Sequence, residues 1–181
     1  MTRSLAAAAL TASALLAAAP AFASARDDVR ASVQKFSQLQ SFEMVMQDQG
    51  RTMTVDVVNS PAATHTKMPG NEIIFVGGIS YMRQGGSWRK FPASSRAPMM
   101  ENPIRHMGDD ANRSTFGAVD LGMKNVGGES LHAYKVADKS TSSAGTLYIG
   151  GDGLPHRWEG TDGSVVKLTK FNGVAPIKAP V

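Results

Sequence analysis

A chain of 181 residues with 19 Lys and Arg against 15 Asp and Glu, a net charge of +4 and no cysteine is long enough to fold one domain around a real core. The missing cysteines exclude a disulfide framework, a thiol nucleophile, a zinc–cysteine cluster and a thiol acceptor for a lipid anchor. The basic residues (Arg83, Arg89, Lys90, Arg96, Arg105, Lys124, Lys135, Lys167 and Lys170 among them) form no dense block, which argues against nucleic acid as a partner.

Taken in chain order, Arg3, the Ala/Leu-rich run from Leu5 to Ala19 and the small-x-small ending Ala21-Phe22-Ala23 predict a cleavable secretory signal over residues 1–23. The run is shorter than the ~20 apolar residues that span a bilayer. Residues 24–181 are then expected to be a single soluble periplasmic domain, a monomer and not an integral membrane protein. Between Ala25 and Gln40, Val29, Val33, Phe36 and Leu39 recur at helical spacing, with Asp27 and Asp28 placed for the first turn.

From Phe42 the period becomes two. Phe42, Met44 and Met46 alternate with polar neighbours, and Met53, Val55 and Val57 follow a hairpin tip at Gln49-Gly50. Short strands are predicted near Thr64–Met68, Glu72–Val76, Ile79–Arg83 and Ser87–Phe91, divided by Pro69-Gly70, Gly77-Gly78 and Gly85-Gly86. The segment Pro92–Arg113 carries Pro92, Pro98 and Pro103 beside Met99, Met100, Ile104 and Met107, and reads as an apolar, lid-like loop. Alternation returns over Ala118–Asn125, Glu129–Ala137, Gly145–Gly150, Leu154–Gly160 and Val165–Phe171. Ten or eleven short strands joined by tight turns must pair antiparallel, because parallel neighbours need long crossovers. The expected fold is α+β, mainly β: a curved antiparallel sheet forming an unclosed half-barrel, with one amino-terminal helix and a Pro-rich loop.

Several local patterns coincide on this frame: Glu72-Ile73-Ile74-Phe75-Val76-Gly77 with Ile79-Ser80-Tyr81-Met82-Arg83, Trp88-Arg89-Lys90-Phe91-Pro92, Gly153-Leu154-Pro155-His156-Arg157-Trp158-Glu159, and the tail from Phe171-Asn172-Gly173-Val174 to Ile177 and Pro180. Together they resemble the LolA/LolB/LppX-like superfamily of periplasmic lipoprotein and lipid carriers. The resemblance implies an unclosed antiparallel barrel that holds acyl chains or lipid-modified proteins. Where such carriers often place a basic residue, this chain has Ala63, with Lys67 the nearest cation, which points to a paralogous carrier.

Met is a flexible, polarizable side chain suited to variable apolar ligands, and all of the 10 methionines but Met1 follow the signal. The expected ligand-binding residues, on the concave face or under the loop, are Phe42, Met44, Met46, Met53, Val55, Val57, Ile74, Tyr81, Met99, Met100, Met107, Leu121, Met123 and Trp158. Tyr81 and Trp158 are placed at the mouth or in the cavity. An equally available reading has Met44, Met46, Met53 and Met123 filling a core; the discriminator is a cavity on the order of several hundred Å3. His106 with Asp109 or Asp110 matches no catalytic or metal motif, and no Gly-x-Ser-x-Gly elbow surrounds any serine. No catalytic residue, metal or cofactor is therefore expected. The reading is a carrier or binding protein for an acyl chain, lipid or lipidated protein, the alternative being an envelope protein–protein interaction or sensor module.

Overall fold

The computed structural model describes residues 21–91, 116–138 and 143–180. Among them are one helix, α1 (Ala21–Ser37), and eleven strands: β1 (Ser41–Asp48), β2 (Arg51–Asn59), β3 (Ala62–Met68), β4 (Asn71–Val76), β5 (Ile79–Gln84), β6 (Ser87–Phe91), β7 (Phe116–Val126), β8 (Glu129–Asp138), β9 (Ser143–Ile149), β10 (Pro155–Gly160) and β11 (Val165–Thr169). All belong to one sheet in the order β6-β5-β4-β3-β2-β1-β11-β10-β9-β8-β7. Every neighbouring pair is antiparallel.

The topology is two meanders. One runs outward from β1 to β6; the other returns from β7 to β11, and the first and last strands pair at the centre, Met44 opposite Leu168 and Met46 opposite Val166. β6 and β7 lie at opposite margins without pairing each other, so the sheet is not closed. Twist accumulated over this many antiparallel strands makes it curl, and the result is the curved half-barrel with an amino-terminal helix that the turn spacing predicts. The expected hairpin tip is present: Gln49 (φ 46) and Gly50 (φ 77) both adopt the left-handed backbone of a tight primed turn.

Boundaries shift for local reasons. The helix begins at Ala21 rather than Ala25 and ends at Ser37 rather than Gln40. Its last turn tightens, with Gln38 N–H donating to the Lys35 carbonyl and Leu39 N–H to that of Phe36. Asp27 and Asp28 therefore stand in the second turn rather than the first. Asp27 takes Arg30 at 2.8 Å, and Asp28 accepts the Tyr134 hydroxyl at 3.0 Å. β11 stops at Thr169 because Lys170 and Asn172 both turn to positive φ (51 and 55). The loop Pro92–Arg113 lies outside the described residues.

The apolar stripe of α1 (Ala25, Val29, Val33 and Phe36) is buried in one cluster with Phe42, Met44, Met53, Val55, Leu147, Trp158, Val166 and Leu168. Each large side chain fully buried there contributes ~1.5–3 kcal/mol. The helix packs on β7 and β10, and its Phe36 ring meets that of Phe42 with centroids 4.6 Å apart.

Candidate ligand-binding face

Residues directly opposite one another on paired strands project to the same side of a sheet, so the register assigns every strand residue a face. Tyr134, Leu147, Trp158, Val166, Met46 and Met53 form one row from β8 to β2. Leu168, Met44, Val55, Thr66, Ile73 and Met82 form a second, from β11 to β5. Phe42, Val57, Thr64, Phe75 and Ser80 form a third. These rows make the helix face.

The helix covers only part of it. The buried cluster draws its strand residues from β1, β2 and β7–β11, with Met46, Val57 and Met68 packed on its margin, and takes none from β4 or β5. Yet the rows continue there with apolar side chains: Met68, Ile73, Phe75 and Met82 are all half-buried. An apolar strip thus extends beyond the helix across β3, β4 and β5. It has the character of adaptable binding surfaces, two methionines beside an aromatic and a branched aliphatic side chain.

The outer face carries most of the charge, although Ala63, Ile74 and Tyr81 on β3, β4 and β5 are buried there. Its central row runs Glu43, Asp56, His65, Ile74, Tyr81 and Lys90, and ion pairs lace it: Lys170 with Glu43 at 2.6 Å, Lys67 with Asp56 at 3.5 Å, and Glu72 between His65 at 2.6 Å and Arg83 at 3.1 Å. The hydrogen bond with His65, ahead of that from Arg83, holds the Glu72 carboxyl below its usual value against a smaller opposing effect of burial. Burial pushes the Glu43 carboxyl up, but the hydrogen bonds from Lys170 and Thr169 and the Lys170 charge together bring it below the usual range. Nearer β10, Glu159 accepts from Tyr148 at 2.8 Å and Arg157 at 2.6 Å.

Polar side chains on the helix side anchor the helix. Burial, and then the hydrogen bond to Asp28, push the Tyr134 phenol well above its ordinary value, and the ring stacks on His132 at 4.6 Å. His132 in turn meets Asp120 at 2.6 Å. At the other end of α1, Lys35 donates to the Asp152 carbonyl, while the Asp152 carboxylate faces His156 at 3.1 Å. These contacts fix α1 to β8 and to the β9–β10 turn, leaving β3–β5 outside its reach.

The residues singled out by sequence divide accordingly. Phe42, Met44, Met53, Val55 and Trp158 are on the helix face but buried in the core; Trp158 is beneath neighbours rather than at a mouth. Met46 and Val57 are half-buried on the margin of that core. Ile74 and Tyr81 are on the outer face, so they share no surface with the others. Leu121 and Met123 belong to the edge strand β7, where the register with β8 shifts between Asp120 and Met123; with 40% and 59% exposure they form no enclosed lining. Met99, Met100 and Met107 lie outside the described residues, as do His106, Asp109 and Asp110.

Sequence reasoning missed Met68, Ile73, Phe75 and Met82. The signal was present one hairpin earlier. His65 and Lys67 mark the outer frame of β3, and the Pro69-Gly70 turn pairs Lys67 with Glu72, which carries that frame to Ile74 and leaves Ile73 and Phe75 on the helix face.

No protein-family model matches the chain, and no curated protein does. Solved structures share the fold. The lipoprotein LppX of Mycobacterium tuberculosis matches with a TM-score of 0.61 at 15% identity, over 86% of this chain and 99% of that one. LprF of Mycobacterium bovis matches with a TM-score of 0.65 at 14% identity, over 87% of this chain and 97% of that one. The unclosed antiparallel fold expected from the sequence is therefore one that this chain shares with LppX and LprF.

Proposed function

We propose that this protein binds an acyl chain, or the acylated part of a lipid or lipidated protein, on the helix face of its sheet, as a carrier or binding protein. The observation that carries the reading is the continuation of the apolar rows beyond α1: Met68, Ile73, Phe75 and Met82 are half-buried where the helix no longer covers the sheet. A folded domain gains little by leaving such a strip against water unless something covers it. The mechanism makes and breaks no bond. Apolar burial at ~25 cal/mol per Å2 supplies the affinity, from which the cost of association is subtracted. The name of the structurally similar LppX, a lipoprotein, agrees with a setting at the cell envelope, as does the signal read over residues 1–23, with residues 24–181 as the working domain. Among the described residues no helix is long and apolar enough to cross a membrane.

The test is native mass spectrometry of the protein purified from a membrane-containing host, with displacement of a fluorescent fatty acid as the second readout. Co-purified lipid or saturable displacement supports the reading; the absence of both overturns it. A second reading, an interaction module for another envelope protein, is favoured by the exposed Val119, Leu121 and Met123 on β7. A stoichiometric protein partner captured without lipid and lost on Leu121→Ser would support that reading instead.

A further inference from the structure

Among the described residues, the two margins of the sheet differ in chemistry. β7 exposes Val119, Leu121 and Met123. β6 reads Ser87-Trp88-Arg89-Lys90-Phe91, and its register sets Trp88 opposite Arg83, Arg89 opposite Met82, Lys90 opposite Tyr81 and Phe91 opposite Ser80. Each face of this edge strand therefore carries one cation and one ring: Arg89 with Phe91 on the helix face, Lys90 with Trp88 on the outer face. Arg83, Arg89 and Lys90 are exposed and the two rings half-buried. The β5–β6 hairpin contains no Asp or Glu. Glu72 on the neighbouring strand is already held by His65 and Arg83, and neither Arg89 nor Lys90 has an acidic partner among the described residues.

Cations on an edge strand serve to keep it from pairing with another strand. Half-buried aromatic rings between them add nothing to that defence. Trp and Phe beside Arg and Lys are instead the composition that settles at a bilayer surface, where rings enter the headgroup–acyl boundary and cations meet lipid phosphates. We propose that the β6 edge docks on the anionic surface of a lipid bilayer. The β6 edge borders the apolar strip, with Arg89 opposite Met82, but the proposal stands without a ligand on that strip.

The test uses the full chain in flotation with vesicles of phosphatidylcholine alone and of phosphatidylcholine mixed with phosphatidylglycerol. The expected result is binding to the mixed vesicles only, reversed by high salt, which screens charge attraction at a surface. Each Lys or Arg near an anionic surface contributes enough that the double variant Arg89→Gln/Lys90→Gln should bind roughly thirtyfold more weakly. Doxyl-labelled lipid should quench tryptophan emission in the native chain and lose most of that effect in Trp88→Phe, since Trp158 is buried in the core. Equal binding to both vesicle types overturns the proposal, as does undiminished binding by a double variant with a native circular dichroism spectrum. Should the double variant misfold, Trp88→Phe decides: unchanged quenching overturns docking, and lost quenching supports it. Retention on an acidic polypeptide without vesicle binding would overturn it in favour of a protein partner. Fatty-acid displacement is read separately, so loss of ligand binding with vesicle binding intact removes the carrier reading alone, and the converse removes docking alone.

Discussion

Gly145 shows how one missing side chain shapes the core. A Cβ at this position would stand 2.5 Å from the Trp158 ring and overlap the Glu159 carbonyl oxygen, so the indole lies across bare backbone. Gly145→Ala must push the ring out of a filled interior, an overpacking cost of about 1–3 kcal/mol that a drop in the urea midpoint will register. Glu72 carries a different consequence. Its carboxyl is held below its ordinary value of 4.5 first by His65 and then by Arg83, so the folded state takes up a proton less readily than the unfolded chain. A depressed carboxylate stabilises the fold above the unfolded value, and that contribution disappears as pH falls through the folded one. Glu72→Gln should lower the urea midpoint near neutral pH, and its difference from the parent chain should shrink as pH falls below 4.5. A difference that is constant across this range would mean that the contacts of Glu72 with His65 and Arg83 contribute nothing.

At the scale of elements, the turns are what the residues announce. Gly77-Gly78, Gly85-Gly86, Gly127-Gly128 and Gln49-Gly50 place their hairpins within a residue or two, because few residues other than Gly tolerate the left-handed backbone that such turns require. The pairing of β1 with β11 joins residues more than a hundred positions apart, as Glu43 opposite Thr169 shows, and no local pattern encodes it. The clamp that closes this junction is equally non-local. Asn172 donates its N–H to the Ser41 carbonyl at 2.7 Å, its side-chain oxygen accepts from Gln40 N–H at 2.8 Å, and Val174 N–H donates to the Ser41 hydroxyl at 3.2 Å. Asn also tolerates the positive φ found there better than other L side chains. Asn172→Ala removes the acceptor and strains the backbone, with an expected loss of about 1–2 kcal/mol, whereas Asn172→Asp keeps an acceptor and should cost less. Denaturant melts of both variants check the order; equal losses would show that the side-chain oxygen does not matter.

Across the whole molecule, which side of β4 joins the helix face depends on a shift of a single residue. Ile73, Ile74, Phe75 and Val76 are all apolar, so alternation within that strand is silent, and its facing is inherited from the charges of β3 through the Pro69-Gly70 turn. A one-residue slip exchanges the faces of a strand, which is why Ile74 and Tyr81 were legible as apolar but not as outward. The same geometry supplies the sharpest test of the binding reading. Phe75 and Val76 are neighbours in sequence, both half-buried, yet Phe75 is on the helix face with Val57 and Thr64, and Val76 on the outer face with Ala63. Phe75→Ser removes an aromatic contact from the strip and should weaken a fluorescent fatty acid about tenfold, ~1.4 kcal/mol. Val76→Ser removes apolar area from the same strand at the same depth and should leave probe affinity unchanged. Titration of both variants, each checked for a native circular dichroism spectrum, separates a face-specific site from general loosening. Equal weakening would mean that the probe responds to the stability of β4, and equal indifference would place any ligand away from the strip that α1 leaves uncovered.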